Sequence, residues 1–138
     1  MNLPKSLFRV IDANYNRAKE AVRVAEDIAR FYLQDSRLTS RFKRIRHDLT
    51  RALWGLKVPY RSLVGARDSK EDVGRSGLIR DKKRPGWKDL LLSNLKRAEE
   101  ALRVLEEFSK MAGPNKTPAF QRLRFRLYEL EKDCLRKI

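Results

Sequence analysis

The sequence predicts an all-α domain. Its architecture is a four-helix bundle-like fold built from two duplicated helix hairpins, joined by a long loop rich in glycine and charge. Three observations carry this. Four segments place apolar residues at the alternating three- and four-residue spacing of a helix face. The stretch "NYNRAKEAVRVAEDIAR" at 14–30 returns in register as "NLKRAEEALRVLEEFSK" at 94–110, an offset of 80. Phe42, Arg44, Ile45, Arg46 and Leu49 then match Phe120, Arg122, Leu123, Arg124 and Leu127 at an offset of 78, so the second copy has a turn two residues shorter.

The first helix spans 12–33. Asp12 is a candidate cap, with Pro4 marking a possible earlier start. The second spans 36–56 along the stripe Leu38, Phe42, Ile45, Leu49, Leu53 and Leu56. The third spans 87–112 and stops at Gly113-Pro114. The fourth opens at Thr117-Pro118, a favourable N-cap followed by proline in the first turn, with the stripe Phe120, Leu123, Leu127, Leu130 and Cys134. The repeats therefore cover 12–56 and 87–138 of one domain, 1–138, and the loop covers 57–86. Each hairpin has one apolar face, so pairing the two buries both about an approximate two-fold axis.

Composition bounds the function. The 138 residues fit one domain, and 41% hydrophobic residues indicate a packed core rather than a disordered chain. A net charge of +15 predicts an anionic partner: nucleic acid, an acidic membrane surface or phosphorylated small molecules. One cysteine, Cys134, excludes an internal disulfide. One histidine, His47, leaves no Cys/His cluster for zinc and reads as a surface side chain. No segment is long and apolar enough to span a membrane, and the N-terminus lacks a signal-peptide run, so the expectation is a cytoplasmic protein.

Within the repeat, one stripe reads Val10, Asn14, Arg17, Ala21, Val24, Ile28, Phe31. Its match is Leu90, Asn94, Arg97, Ala101, Val104, Phe108, Met111. Both stripes are apolar except for an Asn followed three residues later by an Arg. An inward-facing arginine requires a carboxylate, a carbonyl or an anionic ligand. The functional reading is a polar pocket at the hairpin interface, with Arg17 and Arg97 facing an anion. The structural alternative is a buried arginine–carboxylate network that sets helix register, with Glu20 and Glu100 as candidate carboxylates. The neighbouring stripe Glu20, Arg23, Asp27, repeated as Glu100, Arg103, Glu107, reads as solvated pairing at Asp27 and Glu107. Arg46 and Arg124 flank the apolar stripes of their helices. The loop carries "GARDSKEDVGRSG", in which glycines can turn backbone N–H groups toward a phosphate and acids can hold Mg²⁺; taken alone it reads as a charged connector.

Five blocks in order, "RVIDANYNRAKEAVRVAEDIARF", "RFKRIRHDL", "RDSKEDVG", "NLKRAEEALRVLEE" and "RLRFRLYELEK", carry a resemblance over nearly the whole chain. They resemble the monofunctional hydroxymethylpyrimidine phosphate kinase domain of thiamine biosynthesis, found alone or fused ahead of thiamine phosphate synthase. Two positions depart from that pattern: Ala21, where glycine is usual, and Ala25, where leucine is usual.

The resemblance implies an ATP-dependent phosphomethylpyrimidine kinase. It would convert 4-amino-5-hydroxymethyl-2-methylpyrimidine phosphate to its diphosphate, with Mg²⁺ as cofactor. Such an acceptor is already largely dianionic at neutral pH, so the reaction depends on positioning and charge neutralisation rather than on a base. The expected roles follow. Arg17, Arg97 and Arg67 are catalytic clamps. Asn14, Asn94, Arg46, Glu20 and Glu100 bind substrate or phosphate. Asp68 and Asp72 hold the metal. Thiamine phosphate synthase is a possible partner, while 138 residues are too few to include a synthase barrel, which needs about 200 or more. Two readings compete: a basic helical nucleic-acid-binding domain, though no helix-turn-helix or zinc module is evident, and a non-catalytic regulatory domain of a thiamine phosphate synthase.

Overall fold

The computed structural model describes residues 3–75 and 86–138. Among these, every regular element is helical: α1 (Lys5–Asp27), α2 (Ser36–Gly55), α3 (Tyr60–Gly65), α4 (Trp87–Ala112) and α5 (Thr117–Lys137). The all-α, duplicated-hairpin expectation holds. α1 packs most extensively on α4; α1 also packs on α2, α4 on α5, and α2 on α5. No helix among the described residues is long and apolar enough to cross a membrane.

The boundaries differ from expectation where local backbone chemistry decides them. α1 begins at Lys5 directly after Pro4, so Asp12 lies inside the helix and is not its cap. Its end loosens into a π-turn over Ile28–Tyr32, where Leu33 N–H reaches back five residues to Ile28 C=O at 3.0 Å. Tyr32 then stacks on Trp87 at the start of α4, with ring centroids 5.6 Å apart. Asp35 caps α2 by accepting from Leu38 N–H at 2.9 Å. The predicted loop contains a six-residue helix, α3, anchored by the fully buried Leu63. That helix is too short for periodicity to register. The part of the loop expectation that falls on residues 76–85, with Gly77 and Pro85, lies outside the described residues. Thr117 does not cap α5: a 3₁₀ turn, Pro114–Lys116, precedes it, and its hydroxyl meets Ser109 Oγ at 3.2 Å.

The core confirms the α2 and α5 stripes. Leu38, Phe42, Ile45, Leu49, Leu53 and Leu56 are buried, as are Phe120, Leu123, Leu127, Leu130 and Cys134. In α1 and α4 the buried face is rotated from the expected one. It runs through Leu7, Ile11, Ala18, Val22 and Ala25 in α1, and through Leu91, Leu95, Ala98, Leu102 and Leu105 in α4. Asn14, Ala21 and Ala101 lie at the edge of that face and are also buried, whereas Arg17 and Arg97 are exposed. On a helix turning 100° per residue, Arg17 points about 60° from Asn14, on the side away from Ala18.

Candidate functional site

Among the described residues the fold buries Asn14, as its stripe predicts, but the other buried polar groups are not the predicted ones: they are Asp12, Glu26, Glu99, Glu106 and Ser109. Two of the glutamates repeat the internal symmetry. Glu26 accepts two bonds from Arg46, Nε at 2.9 Å and Nη2 at 3.2 Å. Glu106 accepts two from Arg124, Nε at 2.6 Å and Nη2 at 3.0 Å. Each is a forked guanidinium–carboxylate pair tying the two helices of one hairpin. The Glu106 carboxylate, with Tyr128, holds the Arg124 guanidinium above its already high pKa. A register-setting arginine–carboxylate network therefore exists, but Glu26 and Glu106 supply its carboxylates. Glu20 and Glu100 are exposed. The signal was available in the sequence: Glu26 and Glu106 occupy matched slots four residues after the buried Val22 and Leu102.

This pairing changes the reading of Arg46. Its guanidinium is committed to Glu26, with little exposure of either side chain, so it is a strut between α1 and α2 rather than a free phosphate ligand. Arg67 is similarly engaged. It donates Nε to Asp12 Oδ2 at 2.5 Å and Nη2 to Oδ1 at 2.8 Å, pinning the end of the α3 segment to α1. Asp12, with Tyr60, raises the Arg67 pKa. Asp12 was expected only as a helix cap; as the partner of Arg67 it is a long-range tie that spacing does not reveal.

The two asparagines behave alike. Asn14 Nδ2 donates to Val10 C=O at 2.9 Å, and Asn94 Nδ2 donates to Leu90 C=O at 2.8 Å, each one turn back along its own helix. Arg17 Nη1 donates to Asn14 Oδ1 at 3.4 Å, leaving most of its donors to solvent. Arg17 and Arg97 thus stand at the rim of the α1–α4 face rather than inside it, because the helix rotation that buries Ala18 and Ala98 turns them outward. The Arg23–Asp27 pair at 3.8 Å and the Arg103–Glu107 pair at 3.0 Å are partly exposed, as the surface-pairing reading expects.

In the loop, Asp68 Oδ1 accepts from Glu71 N–H at 3.1 Å and Asp72 Oδ1 from Gly74 N–H at 2.8 Å. Both carboxylates cap their own turns. Among the described residues, no group of three or more His, Cys, Asp or Glu side chains gathers around a point. Asp68 and Asp72, the residues expected to hold Mg²⁺, thus stand as two separate turn-capping carboxylates.

The third buried glutamate breaks the symmetry. Glu99 is 2% exposed, and both of its carboxylate oxygens lack a hydrogen-bond partner among the described residues. Lys96 Nζ approaches to 3.7 Å. Burial, reinforced by the Glu131 carboxylate and opposed by Lys96, pushes its pKa up to about 7. Its counterpart in the first repeat is Lys19, which donates to Tyr15 Oη at 3.1 Å.

Comparison with known proteins places this architecture. A thiamine-phosphate synthase of Nostoc punctiforme is 38% identical over 130 residues, which cover 94% of this chain and 35% of the relative. One of Synechocystis is 38% identical over 133 residues, 96% of this chain and 37% of the relative. One of Rhodopirellula baltica is 35% identical over 127 residues, 90% of this chain and 33% of the relative. The chain spans about a third of the length of these curated relatives. No solved structure matches. These relatives correct the kinase expectation: they are named for thiamine-phosphate synthase rather than for an ATP-dependent kinase, which favours the competing reading of a synthase-associated domain. The ThiD2 family matches residues 9–133, nearly the whole chain, and the protein belongs to that family.

Proposed function

We propose that this chain is an accessory domain of a thiamine-phosphate synthase, non-catalytic in itself, that binds a phosphorylated pyrimidine and regulates or feeds the synthase. The observation that carries the reading is the match of nine-tenths or more of the chain to proteins bearing that name. The physical character of the domain is consistent with it. Internal arginine–glutamate struts make a stiff scaffold, and much of the +15 charge remains on its surface as exposed arginines such as Arg17 and Arg97. A cationic surface concentrates phosphorylated metabolites near a partner that consumes them. Under this reading, Arg17 and Arg97 attract the phosphate, and Asn14 and Asn94 hold the helix edge beside them.

The test has two parts. Calorimetric titration of the chain with 4-amino-5-hydroxymethyl-2-methylpyrimidine phosphate should show saturable binding. Adding the chain to a thiamine-phosphate synthase should alter the KM or the turnover of that enzyme. Absence of both effects would refute the proposal.

A further inference from the structure

Of the buried glutamates, Glu26 and Glu106 each accept a forked arginine from the other helix of their hairpin. Glu99 accepts from no donor among the described residues, although it is only 2% exposed. Its place is fixed relative to the Glu106 pair. Seven residues make two helical turns less about 20°, so positions seven apart lie on nearly one line. Seven residues back from Glu106 on α4 stands Glu99, and seven residues on from Arg124 on α5 stands Glu131. Two turns from a glutamate–arginine fork, the same two helices therefore bring two carboxylates together, and the Glu131 charge acts on Glu99. The first repeat fills this level differently. Lys19 and Leu53 occupy the matching positions: Leu53 is buried, and Lys19 donates to Tyr15 Oη, which also bonds Thr50 Oγ1 at 3.0 Å.

A cleft of about 310 Å³ opens at this point, lined by Lys96, Glu99, Glu100, Arg103 and Tyr128. Neither of its own cations closes on Glu99. Arg103 is turned to Glu106 at 3.4 Å and to Glu107 at 3.0 Å. Lys96 Nζ stands 3.7 Å from Glu99 Oε1, beyond hydrogen-bond length, and its side chain is 64% exposed. A divalent metal matches poorly. Such ions take about six or more oxygens, and no group of three His, Cys, Asp or Glu side chains gathers among the described residues. A planar guanidinium matches well. Its parallel N–H groups suit the two free oxygens of Glu99, as they suit Glu26 and Glu106 elsewhere in this fold. Tyr128 supplies an aromatic wall, and its ring already lies 5.6 Å from the guanidinium of Arg124.

We propose that the Glu99 cleft between α4 and α5 is a socket for an arginine side chain of another protein chain. Glu99 takes the guanidinium in a fork, Glu131 adds a second negative charge, and Tyr128 flanks it. A protein source is favoured because this chain covers 35% and 37% of two of its relatives, so most of each relative is further polypeptide that can present such a side chain. The socket goes beyond the accessory-domain reading, whose ligand is an anion, and does not depend on it.

The experiment maps amide chemical shifts of the full chain at pH 8, where the Glu99 carboxyl is largely ionised, during titration with N-acetyl-arginine methylamide. The citrulline counterpart keeps the shape without the charge, and free arginine stands for a metabolite. The expected result is saturation in the millimolar range, with shifts centred on residues 96–103 and 128–131. The citrulline compound should bind at least about tenfold more weakly, because its hydrogen bonds carry no charge. Glu99→Gln should cost a similar factor with an unchanged circular dichroism spectrum, while Lys96→Met binds at least as tightly as the parent. Failure to saturate at tens of millimolar would overturn the proposal. So would equal binding of the citrulline compound, parent-like binding by Glu99→Gln, or loss of binding in Lys96→Met. Free arginine binding more than about tenfold tighter than the blocked compound would overturn the protein source, since the cleft would then read the ends of a free amino acid. Displacement of the blocked arginine by the pyrimidine phosphate would also overturn the socket, while leaving the accessory-domain reading intact.

Discussion

Replacing Glu99 by Gln should make the protein more stable at mildly alkaline pH and remove a pH dependence that the native chain carries. Glu99 is buried in α4 without a hydrogen-bond partner among the described residues, faces Glu131 on α5, and has Lys96 at 3.7 Å as its ion-pair neighbour. Its pKa stands at about 7 against an ordinary value of 4.5, first because burial disfavours the carboxylate and second because of Glu131. The folded state therefore holds this proton more tightly than the unfolded chain does. The stability that Glu99 contributes is fully present below 4.5, is lost as pH rises from there to about 7, and is level above that. That gap corresponds to about 3 kcal/mol once the carboxyl is fully ionised, an upper figure because Lys96 can swing closer. Asp35, held low by Lys137, Asp133, held low by Arg41, and Glu107, held low by Lys110, act in the opposite direction, but their contributions are lost only as pH falls below their ordinary values of 3.8 for the aspartates and 4.5 for Glu107. The window from pH 5 to 8 therefore isolates Glu99. Urea unfolding of parent and Glu99→Gln across that window should show the parent weakening and the variant nearly flat. The variant should be about 2–3 kcal/mol more stable at pH 8 and within about 0.5 kcal/mol at pH 4.5. Glu131→Gln should recover only part of the difference, since burial remains. A parent whose stability is constant from pH 5 to 8, or a Glu99→Gln variant with no gain at pH 8, would refute the reasoning.

Three other outcomes follow from the buried network. Arg46→Ala and Arg124→Ala each leave a buried glutamate without its fork and should cost about 3–5 kcal/mol in chemical denaturation, while Glu106→Leu combined with Arg124→Met should recover most of that loss. Arg67→Ala releases the Asp12 tie, so amide exchange in Tyr60–Gly65 should speed up roughly tenfold or more, with exchange in α4 unchanged. Cys134 is fully buried and its thiol is pushed up to about 11 by burial, so at pH 8 it should react with a thiol reagent only at the rate of unfolding; rapid modification of the folded chain would contradict the packing of α5.

Much of the fold was legible because periodicity and duplication are local properties of the chain. The α2 and α5 stripes, the end of α4 at Gly113 and the offsets of 80 and 78 all read directly from residue order. The site was less legible. On α1 two stripes, one through Val10, Asn14 and Arg17 and one through Leu7, Ile11 and Ala18, lie within a small rotation of each other. Small residues made both look apolar, and packing against α4 chose the second. That rotation turned Arg17 and Arg97 outward and brought Glu26 and Glu106 inward.

By itself, the sequence determined that this protein is helical, basic and duplicated, and that its two halves share a pattern of charge. The tertiary structure alone decided which charges meet. Arg46 finds Glu26 and Arg67 finds Asp12 across 20 and 55 residues, and Arg44 is left facing an open cleft while its neighbour Arg46 is enclosed. The physical reason is that helix propensity is written within a few residues, whereas the cost of burying a charge depends on what a distant helix brings to it.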